Sequence, residues 1–137
     1  SYVFGNQAVV LSIEAKRKEG KMWHALYNNG REVSGKDVLE WIEEACQLGI
    51  GEILLTSVDK EGTRTGFDID LAYQAAKRAA VPLIISGGFS DVSNAVDVLS
   101  IEGVDAIAVA DGFHFDRVTI KSIKAGLHDL GISVRPI

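Results

Sequence analysis

Four times along this chain a short apolar run gives way to a small or acidic loop and then to an amphipathic helix pattern. The runs are residues 7–13 (QAVVLSI), Glu52–Ser57 (EILLTS), 82–86 (PLIIS) and 106–110 (AIAVA). Each is too short for a helix and built mainly from small or branched apolar residues, as parallel strands covered on both faces require. Residues 22–27 make a further alternating run between Gly20 and Asn28-Asn29-Gly30, and predict one arm of a hairpin elaborating the first loop. Strands that alternate with helices through short loops imply parallel pairing by right-handed crossovers. Two architectures satisfy this: an open doubly wound sheet or a segment of a barrel. Neither G-x-G-x-x-G nor G-x-x-x-x-G-K-[ST] occurs to favour the first.

Helix boundaries are marked at both ends. Ser34 and Asp37 resemble a capping box before Val38, Trp41, Ile42 and Ala45, and Gly49 closes that helix. Asp68 opens a second, with Ile69, Tyr73, Ala76 and Ala80 as the expected buried face and Pro82 barring continuation. Ser90 is the expected cap of a third, with Val92, Ala95, Val96 and Leu99 on one face and Gly103 beyond it. Thr119 starts a fourth, with Ile120, Ile123, Leu127 and Leu130 in line and Gly131 after it.

The 137 residues suit one domain, 1–137, but fall short of the roughly 250 of a closed (βα)₈ barrel. Ser1 stands where an initiator Met would, as expected if the first strand begins inside a longer chain. The opening residues Ser1-Tyr2-Val3-Phe4-Gly5 lack the basic region and apolar core of a secretory signal, and no apolar stretch approaches membrane-spanning length. A net charge of −5 argues against nucleic acid as a partner. The single cysteine, Cys46, excludes an internal disulfide, fits a cytoplasmic location, and is expected to be buried without a chemical role.

Ligands of parallel α/β proteins bind beyond the C-terminal strand ends, where loops and helix N-termini converge. The residues there are Glu14-Ala15-Lys16, Asp59-Lys60-Glu61-Gly62-Thr63, Gly87-Gly88 and Asp111-Gly112. Gly87-Gly88 is either a tight turn or a place where bare backbone approaches an anion. Glu14, closing an apolar run, is either a solvated loop residue or a carboxylate at a barrel mouth, placed for acid–base work. Asp59 and Glu61 either bind ligand hydroxyls or satisfy their own loop's amides. His24 is expected to be exposed in the hairpin, His114 to pack between Phe113 and Phe115, and His128 to complement a helix C-terminus. No metal-ligand spacing, cofactor fingerprint or nucleophile motif is present.

Four strings carry a family resemblance: GNQAVVLSIEAKR (5–17), GEILLTSVDKEGTRTGFD (51–68), VPLIISGG (81–88) and ADGFHF (110–115). Together they resemble the cyclase subunit of imidazole glycerol phosphate synthase, strands five to eight of its barrel in order. The pattern EILLTS-x-D-x-x-G-T-x-x-G-x-D is the most specific of them. The resemblance implies an α/β fold that is the parallel (βα)₄ half of a TIM (βα)₈ barrel. It implies a lyase-type cyclase that takes ammonia from a glutaminase at the barrel's N-terminal face. At the other face such an enzyme cyclises and cleaves a phosphoribulosyl-formimino aminoimidazole carboxamide ribotide. By the same resemblance Glu14 stands at the strand-five catalytic aspartate. Glu61, Gly62, Gly87, Gly88, Ala110 and Asp111 match phosphate-binding loop positions, and Glu52 matches a glutamate of the ammonia gate.

Three positions depart from the family. Glu14 and Glu61 replace aspartates, and displacing a catalytic carboxyl by about 1 Å can cost on the order of a hundredfold in rate. Asp111 replaces a serine, and an acidic side chain there repels a phosphate dianion. Such changes fit a divergent cyclase-like paralogue, as in surface-sugar amination, or a mobile half-gene under relaxed constraint. Strands one to four, with the first catalytic aspartate, have no counterpart here, so the chain alone is expected to be inactive. Two open edges and an apolar interior face would be relieved by a homodimer or by a complementary N-terminal half. The alternative is a non-catalytic half-barrel that binds a small anion or a partner protein.

Overall fold

The computed structural model describes residues 9–27, 32–109 and 119–135. In order, the elements are β1 (Val10–Arg17), β2 (Trp23–Tyr27), β3 (Glu32–Asp37), α1 (Val38–Gln47), β4 (Glu52–Ser57), α2 (Ile69–Arg78), β5 (Leu83–Ser86), α3 (Val92–Leu99), β6 (Val104–Ala108) and α4 (Ile120–Asp129). They form one sheet in the order β3-β2-β1-β4-β5-β6. Strands β1, β4, β5 and β6 run parallel, and β2 and β3 add an antiparallel hairpin on the outer edge of β1. Four parallel βα units side by side are the half-barrel arrangement, and the hairpin is the elaboration of the first loop that the alternating run predicts.

Side chains alternate across the sheet as strand geometry requires. Ile13, Ala15, Ile53, Leu55, Ser57, Leu83 and Ile85 are buried beneath the helices. Their neighbours Ser12, Glu14, Leu54, Thr56, Ile84 and Ser86 are exposed or only half-buried. One face is therefore packed and the other, the lumen side of a barrel, is open. Among the described residues no helix is long and apolar enough to cross a membrane.

Two caps differ from expectation. Asp37 caps α1 by accepting the Leu39 and Glu40 amides at 2.9 and 3.0 Å, while Ser34 lies within β3. Asp91, not Ser90, caps α3 by accepting the Asn94 amide at 2.8 Å. A carboxylate is the stronger cap because it also meets the positive end of the helix dipole. Asp68 and Thr119 cap α2 and α4 as predicted, Thr119 in a reciprocal box with Ser122.

Two further readings are corrected. β1 does not stop before Glu14 but continues to Arg17, because β2 supplies a hydrogen-bonding partner for residues 14–17. α2 buries Leu71, Ala72 and Ala75, whereas Ile69 and Tyr73 are 38% and 47% exposed and Ala80 is exposed. Apolar residues ring this helix on two sides, so periodicity alone admits two faces. The contacts of its cap, Asp68, select the one that turns Leu71 and Ala72 inward.

Candidate functional site

The parallel register sets out the open face in rows. Glu14 pairs with Thr56, Thr56 with Ser86 and Ser86 with Ala108. One row towards the strand N-termini lie Ser12, Leu54, Ile84 and Ala106, and below them Val10 beside Glu52. Glu14 thus stands level with the C-terminal ends of β4 and β5 although its own strand runs on. Glu52 sits at the opposite end, four residues or about 13 Å along β4 from Thr56. Thr56 and Ser86 were missed in the sequence; their signal was the polar residues that end two apolar runs.

Above this row, the β4–α2 loop folds over the glycine pair. Ser57 is buried; its hydroxyl accepts the Lys60 amide at 3.3 Å and its carbonyl accepts the Glu61 amide at 3.0 Å. The Glu61 amide is therefore already committed. The Gly66 amide donates to the Gly88 carbonyl at 2.8 Å. Gly87 and Gly88 adopt φ of +96° and +102°, a region that disfavours any side chain. A Cβ at Gly87 would stand 2.6 Å from the Ser57 carbonyl oxygen and 3.2 Å from Glu61 Oε2. The pair is thus a close-packed turn, and the Glu61 carboxylate hangs over it.

Glu61, Ser86, Gly87, Gly88, Phe89, Ala108 and Val109 line the cavity between them, of about 10 Å³. That is room for one water. A phosphate at Gly87-Gly88 requires Glu61 to swing out, which an exposed side chain on a loop does readily. Gly62, with φ +74° and open space around it, closes the turn after Glu61.

The other candidates separate from this cluster. Asp59 serves a different strand, not its own loop: its carboxylate accepts the Arg17 amide at 2.6 Å. His24 is half-buried rather than exposed, opposite Lys16 in the hairpin. Cys46 is likewise half-buried, its sulfur accepting the Ala80 amide at 3.4 Å. His128 is exposed in the last turn of α4, with Nδ1 4.0 Å from Asp129. Ala110, Asp111 and His114 lie outside the described residues.

Comparison with known proteins places this geometry. The family described as histidine biosynthesis protein matches residues 1–119. The chain belongs to that family. It is 43% identical over 132 residues to the imidazole glycerol phosphate synthase subunit HisF of Helicobacter hepaticus, covering 96% of this chain and 52% of the relative. Against the same subunit of Clostridium beijerinckii it is 42% identical over 136 residues, 98% of this chain and 54% of the relative. Against that of Streptococcus mutans the figures are 40% over 132 residues, 96% and 53%. The chain thus spans about half the length of the curated relatives it matches. A sheet of four parallel βα units in a family of (βα)₈ barrels is the C-terminal-half barrel that the resemblance implies.

Proposed function

We propose that this chain is one half of a cyclase barrel, folded over residues 1–137 as one domain and inactive until a complementary half closes the open face. The reaction is the ammonia-dependent cyclisation and cleavage of a phosphoribulosyl-formimino aminoimidazole carboxamide ribotide. Glu14 is its proton-transferring carboxylate in this half. The observation that carries this reading is the level of Glu14 with Thr56 and Ser86 on the open face, in the row that ends β5 just before the Gly87-Gly88 turn.

Substrate phosphate is held at the loop positions Glu61, Gly62, Gly87, Gly88, Ala110 and Asp111, by backbone amides other than that of Glu61, which the Ser57 carbonyl already takes, and only after the Glu61 side chain withdraws. Glu52, at the far end of the same face, belongs to the gate through which a glutaminase partner delivers ammonia. The complementary half is either an N-terminal half-barrel or a second copy of this chain. In the second case two Glu14 carboxylates would share one mouth, and light scattering at micromolar concentration would read a dimer rather than a monomer. The setting is cytoplasmic.

The decisive experiment is rescue of a histidine auxotroph with this chain, alone and co-expressed with the N-terminal half of a relative. Growth only with both halves is expected. Growth with neither leaves the cyclase reading without support.

One observation counts against the substrate phosphate and so favours a second reading, a non-catalytic half-barrel that binds a partner protein or, once Glu61 turns out, a small anion. The Glu61 carboxylate fills the space above Gly87, leaving about 10 Å³. Sulfate or phosphate bound at Gly87-Gly88 with no rescue of the auxotroph would select this alternative.

A further inference from the structure

The polar residues that this reading leaves unused meet at one buried point. Asp68 is 3% exposed and accepts three N–H groups: the Leu71 amide at 3.0 Å, Trp23 Nε1 at 3.1 Å and Arg17 Nη2 at 2.8 Å. The Arg17 guanidinium also lies 4.9 Å from the centroid of the Trp23 ring and donates through Nη1 to the Gly20 carbonyl at 3.0 Å. Its backbone amide goes to Asp59 at 2.6 Å, and Nη2 reaches the exposed Asp70 at 3.4 Å. Two segments are joined here: the end of β1 with the turn into β2, and the loop from β4 to α2.

Capping α2 does not account for this. A cap needs only the Leu71 amide and works at a solvent-exposed helix end. Burying the carboxylate between a guanidinium and an indole costs desolvation, and it yields charge-assisted bonds of fixed direction. The same loop is pinned on its other flank by the bond from Gly66 to Gly88. It is therefore held between β1 and β5, with Glu61 and Gly62 at its crest and Glu14 three residues before Arg17 on β1.

We propose that Asp68 and Arg17, with Trp23 packed against both, are positioning residues for the reactive rim. They lock the β1–β2 turn to the β4–α2 loop so that Glu14 and the Glu61-Gly62 turn keep one fixed relation. The proposal rests on the cyclase reading for its purpose, though the lock itself is measurable without it.

Amide hydrogen exchange on the chain alone tests the lock in Asp68→Asn, Arg17→Met and Arg17→Lys. Asparagine can still cap α2 through its one carbonyl oxygen, but its NH2 replaces the oxygen that accepts the indole N–H, and it lacks the charge that holds Arg17. In Asp68→Asn and Arg17→Met the amides of Lys18, Glu61, Thr63 and Gly66 should all exchange about tenfold faster or more, while those of α3 keep their rates. Arg17→Lys should recover part of the protection. Unchanged exchange in both segments, acceleration in one alone, or a uniform change that includes α3 would overturn the lock.

Failure of the auxotroph rescue would remove the cyclase reading and leave this exchange result standing. Where the two halves together are active, both variants should lower kcat about tenfold or more while KM moves less than about threefold. A raised KM with unchanged kcat would count against a positioning role.

Discussion

The Gly66 amide and the Gly88 carbonyl stand 2.8 Å apart, and this contact brings two loop backbones too close for a side chain at Gly88. A Cβ there would strike the Gly66 carbonyl oxygen and lie 2.8 Å from Lys60 Cβ, on backbone at φ +102°. Gly88→Ala should therefore lower stability by about 2–4 kcal/mol in urea unfolding. Gly62 also has positive φ, but nothing lies within 4 Å of its would-be Cβ. Gly62→Ala should lose only about 1 kcal/mol, the conformational part alone. Equal losses at the two sites would mean that the contact with Gly66 does not dictate the glycine.

The two faces of the sheet should respond differently to truncation. Ile53 is fully buried, and Ile53→Ala should cost about 2–5 kcal/mol. Leu54, next along β4, is half-buried on the open face. Leu54→Ala should cost less than about 1 kcal/mol in the isolated chain, since little apolar area is returned to water. With a complementary half present, the loss at Leu54 should grow towards that at Ile53. A Leu54 cost that does not change on adding that half would show that the open face is not where it docks.

Much of this was legible along the chain. Alternation of apolar runs with helix patterns gives the parallel strands and their order, and the caps at Asp68 and Thr119 need only local chemistry. The end of β1 and the buried face of α2 were misread for a shared reason. Residues 14–17 are strand because β2 pairs with them, and α2 is rotated by what its cap touches. Arg17 meets Asp59 and Asp68 across separations of 42 and 51 residues, and no spacing rule reaches that far. The crowding of Glu61 over Gly87 is equally non-local, so the glycine pair alone cannot distinguish a packed turn from an anion cradle.

Because the Glu61 carboxylate hangs 3.2 Å from the would-be Cβ of Gly87, it opposes any anion there. Glu61→Gln keeps the side chain's size and removes the charge. Titration calorimetry with inorganic phosphate should show affinity rising about three- to tenfold, a modest gain because the side chain is exposed and screened. An unchanged or weaker affinity would place the anion elsewhere on the rim.

Glu14 supplies the one carboxylate of the open-face row at the level of Thr56 and Ser86. With a complementary half present, Glu14→Gln should lower the cyclase rate by about a hundredfold or more, within the usual contribution of a general acid–base group. Its thermal midpoint should stay close to the parental value, since the side chain is not part of the packed core. Full activity in the Gln variant would exclude Glu14 from proton transfer.

Helices α3 and α4 pack together where Gly126 faces Val92. A Cβ at Gly126 would lie 2.9 and 3.0 Å from the two Val92 methyl carbons. Two effects compete in Gly126→Ala. Alanine in a helix interior gains about 1 kcal/mol over glycine. The overlap opposes it, and a β-branched side chain has few rotamers with which to turn away. We expect the overlap to win, with Gly126→Ala destabilising by about 1 kcal/mol. In a Val92→Ala background the methyls are gone, so the same substitution should stabilise by about 0.5–1 kcal/mol. The sign reversal in a double-mutant cycle by urea unfolding is the test. Stabilisation by Gly126→Ala in the parental chain would mean that α3 and α4 separate freely and that their close approach is not fixed by this glycine.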